Sequence, residues 1–544
     1  MSPSPLQRTL DAFKKKITPP EKRLISQTIP GIAREGFSLL PGLLRRTGRP
    51  EILWVLTSTP EKALRLVEEI RSAPLLLDME PDVLLFPEEE VLPYERESPA
   101  DFIRAERIHA LDRLASDTPP DVVVSPVVAV LRKTLSPPLL KSVRRTLRTG
   151  MEEDPQSVVE TLLAQGYVRV PQVTAPGEFS VRGALVDLYS TDRRRPVRLE
   201  WDDLEIRSIR SFDPNTQRSV EAVGEVDLLP SHEWITPSPS SLDTPSRDWI
   251  DRHLSLPFPP GIERYLPSFF SETAAPVLSR PDILILVDDW KAVLDRTSDW
   301  ISRIEEGWKV LPAEERSFLP APDAAFFLPK SRQEWESLLP CLTVSDEAPE
   351  GTPSLLGSVP SARIDRNLSL ISEIERQPRE WRTVIFCRTR GQMSRIGDML
   401  EAGELPYITS FDSLASGAGR LPVTLLQGDV EEAFELPLDQ ILVLSDTWLF
   451  KKPVSRPPFR SFSTSTQVYR RDRPTFADGD YVVHLHQGIG RFRGLQEVSV
   501  GANRGEFAVI EYLGGDRFYL SVDQMDQLLP YQGPEGSAPR IDRL

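Results

Sequence analysis

EILWVLTSTPEKALRLVEEI, residues 51 to 70, decides how the first part of this chain folds. Its opening EILWVL holds an apolar run that is short for a helix and suits a strand covered on both faces. In the TPEKALRLVEEI that follows, Ala63, Leu64, Leu66, Val67 and Ile70 lie on one helical face. A strand running straight into a helix is the unit from which parallel sheets are built. The alternation continues outward. DVLLF (82–86) and DVVVSPVVAVL (121–131) read as further strands. Between them SPADFIRAERIHALDRLAS opens on Ser98 and Pro99, a helix start, and carries Ile103, Ile108, Leu111 and Leu114.

Upstream, GIAREGFS (31–38) has the glycine spacing of a phosphate-cradling loop, with Phe37 where the lysine belongs. Such a loop needs backbone amides around the phosphates, a lysine on the β/γ-phosphates and a hydroxyl on Mg²⁺. Gly31, Gly36 and Ser38 could supply turn and hydroxyl, but Phe37 supplies no charge and Arg34 lies on the wrong side of Gly36. A plain turn, a degenerate relic and a live ATP site are the three readings. ILILVDDW (283–290) resembles the strand and acids that hold Mg²⁺ in such enzymes. Without the lysine, Asp288 and Asp289 read as a strand-end turn.

Farther along, VVETLLAQGYVRV is a helix running into a strand, and GEFSVRGALVDLYS, RPVRLEW and EIRSIRSFD are short alternating strands; 151–228 is therefore a small α+β module with an antiparallel sheet. Residues 363–450 return to α/β. Strand after strand fills 479–531, with Gly-Gly and Gly-Ile-Gly turns, and predicts a small barrel. Breaks fall at 236–249 and 345–363. A third, KKPVSRPPFRSFSTSTQVYRRDR (451–473), sets seven Lys or Arg against one Asp, either as a solvated linker or as a charged contact surface.

The bulk numbers fit several folded domains in 544 residues, with 40% hydrophobic and 27% charged content. A net charge of −16 argues against a protein that coats nucleic acid over its whole surface. No apolar run approaches the ~20 residues that cross a bilayer, and the N-terminus lacks a secretory pattern. Cys341 and Cys387 read as reduced cytosolic thiols. His484 and His486 share a strand face, but no third ligand stands at metal spacing. No serine elbow, activated cysteine or acid pair stands out, so the residues alone point to an interaction protein rather than an enzyme.

GEFSVRGALVDLYS…PVRLEWDDLEIRSIRSFDPNTQRS (177–219) resembles the module with which nucleotide-excision repair proteins such as UvrB bind UvrA. LLFPEEEVLPYERESPADFIRAERIHALDRL (84–114) and DGDYVVHLHQGIGRFRGLQEV (478–498) are similar to segments of the bacterial transcription-repair coupling factors (Mfd). The latter segment lies in the RNA-polymerase-interacting domain shared with CarD-type regulators. The resemblance implies a multi-domain α/β and α+β chain. Residues 1–150 would be a UvrB-like domain 1A with a degenerate P-loop-type nucleotide fold, completed near 229–250. The inserted UvrA-binding module would be 151–228, and the UvrB-like domain 1B 250–345. A further α/β domain (360–450), the basic linker (451–477) and a small Tudor-like CarD barrel (478–533) would follow.

The resemblance also assigns roles. GIAREGFS falls where the family's dead nucleotide loop should be, which favours the relic, with Gly31, Gly36, Phe37 and Ser38 inactive. UvrA contacts map onto Arg182 and Arg198, with Trp201 as the accompanying aromatic; Asp202 follows it where the family can carry a second aromatic. An arginine fork beside desolvated aromatic area is the usual make-up of a binding hot spot. RNA polymerase would be met by strand addition to its β subunit, with Leu495 and Val498 on the edge. Gly488 and Gly490 would be turn residues, Phe492 and Tyr512 core. ATP, Mg²⁺ and most DNA contact are expected of a motor half, and no GxxxxGK[ST] occurs in this sequence. The chain would then be a fragment or split product, or would work without that motor; it would be cytoplasmic, with no membrane partner. The rival readings are an ATP-driven helicase-like enzyme and a CarD-like regulator with no repair role.

Overall fold

The computed structural model describes residues 6–17, 26–48, 51–193, 195–214, 216–235, 250, 258–269, 275–278, 282–348, 350–359, 370–378, 380–409, 423–446, 479–484, 488–500, 503–513, 517–521 and 528–530. The basic linker, the break at 236–249 and His486 lie outside them. Two compact units emerge, Met1–Ser465 and Thr466–Leu544.

The first unit is built on a six-stranded sheet. Its order is Gln27–Pro30, Cys341–Ser345, Ile283–Val287, Ile52–Thr57, Val122–Pro126, Val83–Leu85, and every neighbouring pair is parallel. Successive strand residues face opposite ways, so the run 52–56 feeds two cores. Ile52, Trp54 and Leu56 pack with Ile108, Leu111 and Trp300 on one side. Leu53 and Val55 pack with Leu66, Val67 and Ile70 of the helix Pro60–Ser72 on the other. That helix starts where Thr59 accepts from the amide of Lys62 and Pro60 occupies its first turn.

Residues 250–345, expected as a lobe of their own, instead supply two inner strands of this same sheet, Ile283–Val287 and Cys341–Ser345. An edge strand such as Gln27–Pro30 can join the sheet only across them. Sequence separation concealed this, because parallel neighbours need long crossovers.

A second sheet belongs to the later segment: Gly357–Ser358, Phe434–Leu436, Ile441–Ser445, Arg382–Cys387, Val423–Gln427, Tyr407–Ile408. Its helix Arg390–Ala402 begins with a capping box between Thr389 and Gln392. The sheet is not independent. Val384, Phe386, Leu426, Phe434 and Val443 sit in the same apolar cluster as Leu53, Val55 and Leu66. The amides of Arg8 and Thr9, in the helix Gln7–Lys16, donate to Asp439 at 3.1 and 2.9 Å. Gly428 lies so close to the helix Pro60–Ser72 that a Cβ there would be 2.8 Å from that of Ser72.

The second unit is a five-stranded antiparallel sheet, ordered Arg517–Ser521, Asn503–Glu511, Gly488–Val500, Tyr481–His484, Leu528–Pro530. Val482, Phe492, Ala508, Ile510 and Tyr512 form its core. Gly490 is packed rather than merely turning: a Cβ there would lie 2.4 Å from Ile510 Cγ2.

Candidate functional site

Three places could carry function: the glycine loop, the face of the inserted module and the rim of the second unit.

The glycine loop holds no cradle. It follows the edge strand Gln27–Pro30, and four of its amides, those of Gly31, Ile32, Ala33 and Gly36, are engaged by backbone carbonyls. Gly31 donates to Ser345 at 2.7 Å, Ile32 to Ser345 at 3.0 Å, Ala33 to Leu356 at 2.8 Å and Gly36 to Ala33 at 3.1 Å. Residues Arg34–Leu39 coil into a 3₁₀ turn, which sets Phe37 and Ser38 in the interior at 1% exposure each. Gly36 is small because Leu356 presses on it; an added Cβ would sit 2.9 Å from the leucine Cβ. Here the plain packed turn describes the geometry.

A phosphate site in a parallel sheet lies at the carboxyl end of inner strands. In this sheet that place is Thr57–Thr59, which carries no glycine. Lys62 of the following helix is ion-paired with Asp288, and Arg34 Nη2 reaches Asp289 Oδ2 at 3.0 Å. Asp289 also caps the helix Trp290–Val310, accepting from the Ala292 amide at 3.1 Å. Burial works to raise its pKa, but the Ala292 amide and the Arg34 guanidinium outweigh that and hold it below the usual carboxylate range. Lys62 carries no sequence signal of this position, because it lacks the glycine frame that normally flags such a lysine.

The module is a six-stranded sheet ordered Ser219–Ala222, Glu205–Phe212, Val197–Asp202, Leu185–Leu188, Glu178–Arg182, Val168–Arg169. Glu225–Leu228 pairs with Arg145–Arg148, so the module begins a few residues before 151. Phe179, Val186, Val197, Leu199, Trp201 and Ile209 face inward onto Val158 and Leu162 of the helix Pro155–Ala164. Residues of the opposite parity face outward. Register places Asp187 beside Ser180 on one neighbour and Arg198 on the other, and Arg198 beside Arg210.

The outward face brings Arg182 and Arg198 together. Arg198 donates to Asp187 Oδ1 through Nε at 2.6 Å and to Oδ2 through Nη2 at 2.9 Å. Arg182 donates to Oδ2 through Nη2. The Arg198 guanidinium also lies over the Phe212 ring, 4.9 Å from its centroid. Hydrogen bonding to Asp187, against the opposing effect of partial burial, pushes the Arg198 pKa further up, so its charge is permanent. The Arg182 side chain remains 50% exposed and that of Arg198 22%.

Trp201 is not part of that face. It is 4% exposed in the module core, and its Nε1 donates to the Glu153 carbonyl at 2.9 Å. The reason is parity: an odd offset from Arg198 along a strand points a side chain to the opposite side. Asp202, its neighbour, is exposed. The sequence signal for Asp187 is its place within the apolar run ALVDL, where a carboxylate becomes a buried charge that must be paired.

In the second unit, Leu495 and Val498 lie in the long strand Gly488–Val500 and pair with Ala508 and Gly505. Tyr481–His484 covers the other side of that strand only from Gly488 to Arg491. Among the described residues, the other side of 495–500 therefore has no strand partner. No group of three or more His, Cys, Asp or Glu able to hold a metal occurs among the described residues. Nor is any described helix long and apolar enough to cross a membrane.

Comparison with known proteins gives this geometry its context. Residues 146–234 match the family described as the UvrB interaction domain. Residues 476–532 match the CarD-like/TRCF RID domain. The chain is similar to the transcription-repair-coupling factor of Bacillus subtilis (strain 168), 26% identical across 98% of this chain and 47% of that protein. The Myxococcus xanthus transcription-repair-coupling factor is 29% identical across 85% of this chain and 42% of its own length. That of Staphylococcus aureus (strain USA300) is 26% identical across 84% and 41%. The chain thus spans less than half the length of the curated relatives it matches.

Proposed function

We propose that this chain couples transcription to nucleotide-excision repair by adhesion, joining a stalled RNA polymerase to UvrA. The inserted module docks UvrA through Arg182 and Arg198. The second unit adds the strand bearing Leu495 and Val498 to a strand of the polymerase β subunit. Neither step uses a bound nucleotide or a metal, and ATP-driven DNA translocation is not assigned to these residues. The place of action is the cytoplasm.

The observation that carries this reading is the paired guanidinium fork on the outward face of a segment that matches the UvrB interaction domain. A planar, permanently charged fork suits a carboxylate on the partner. The one-sided pairing of 495–500 supports the second contact, because backbone groups on an open strand side supply affinity to an added strand.

The test is capture of the purified chain on immobilised UvrA and, separately, on the polymerase β subunit. Arg182→Ala with Arg198→Ala removes the first capture and spares the second. Loss of neither, with polymerase binding intact, would leave a CarD-like regulator as the better reading.

A further inference from the structure

One carboxylate holds the docking pair. Asp187 is 1% exposed, and a charge that deep persists only when paired and hydrogen-bonded. Its partners are Arg198, through two hydrogen bonds of 2.6 and 2.9 Å, and Arg182. Phe212, itself fully buried, backs the Arg198 guanidinium. Two guanidiniums this close would otherwise repel, and each long side chain carries rotamer entropy that binding would have to overcome.

We propose that Asp187 is the positioning residue of this surface. It draws Arg182 and Arg198 to one point on the outward face and fixes the Arg198 fork against Phe212, so that the pair meets a carboxylate of the partner as a single preassembled cation. The inference rests on the docking reading above. With one carboxylate between two guanidiniums, the cluster keeps one net positive charge, which matches one acidic side chain. Asp187 acts through the arginines and does not itself touch the partner.

The test uses the full chain and two readouts. Asp187→Asn keeps the side-chain volume and removes the charge. Its affinity for UvrA is expected to fall about tenfold with both arginines present, and by less than that in a chain already carrying Arg198→Ala, whose fork Asp187 no longer has to hold. Without any partner, modification of Arg182 and Arg198 by phenylglyoxal, mapped by peptide mass spectrometry, should quicken several-fold relative to Arg210. If Asp187→Asn loses its near-UV circular dichroism, Asp187→Glu takes its place, retaining the charge but displacing it by one methylene; the same two changes are expected at smaller size. Wild-type arginine reactivity together with wild-type affinity would overturn the inference. If the unaltered chain fails to bind UvrA, the docking reading falls, and arginine reactivity alone decides whether Asp187 positions the pair.

Discussion

Lys62 is ion-paired with Asp288 across the carboxyl end of the first sheet. The lysine type that would face phosphate and the acid type that would face Mg²⁺ are engaged with each other, and the amides of 31–33 and 36 with backbone carbonyls. The expected outcome is no saturable heat with Mg-ATP in titration calorimetry and no phosphate release from the purified chain. Saturable binding or turnover would contradict the closed loop.

Glu69, on the helix Pro60–Ser72, faces the loop of the second sheet. Burial pushes its pKa up to about 8; Arg65 works against that, while Glu431, Asp429 and Glu432 add to it. A carboxyl raised in the folded state binds its proton there while the unfolded chain has lost it. Its contribution is therefore largest below about pH 4.5 and is lost as the pH rises through about 8. Glu69→Gln should melt above the wild type at pH values higher than 8 and with it at the acidic end, read by scanning calorimetry. Parallel pH profiles for the two chains would refute the shift.

Gly428 sits where the two sheets of the first unit meet, and a Cβ would also press within 2.9 Å of Phe386 Cδ1. Gly428→Ala should destabilise the unit by about 1–3 kcal/mol, as overpacking does. Urea unfolding measures it, and an unchanged midpoint would show that the sheets have room to separate.

Trp201 gives a prediction opposite to the one its sequence neighbourhood invites. As a core residue, Trp201→Ala should cost about 3–5 kcal/mol of module stability. Trp201→Phe, which loses the hydrogen bond to Glu153 but keeps most of the apolar contact, should bind UvrA as the wild type does. Affinity lost in a folded Trp201→Phe chain would return the indole to the interface.

The elements themselves were legible wherever period and length agreed. EILWVL and its helix, the strand at 283–287 and the antiparallel run after 177 stand where apolar spacing placed them, whereas of the run 121–131 only Val122–Pro126 is strand and Val127–Val130 coil into a 3₁₀ turn. What was not legible is which distant segments share a sheet or a core. Nothing local in ILILVDDW says that it lies between residues 52–57 and 341–345, and nothing in the 382–387 strand says that it shares apolar contacts with Leu53. At the candidate site, Arg182 and Arg198 fall on one outward face, whereas Trp201, expected beside them, lies in the core because strand parity turns it the other way. Asp187 and Lys62 matter through partners that only the fold supplies.

The most direct measurement mixes the purified chain with UvrA and the RNA polymerase β subunit and resolves the species by size-exclusion chromatography with light scattering. Coupling by adhesion predicts a three-component peak without added nucleotide, reduced to chain plus β subunit by Arg182→Ala with Arg198→Ala. Separate elution of all three unaltered proteins would contradict it.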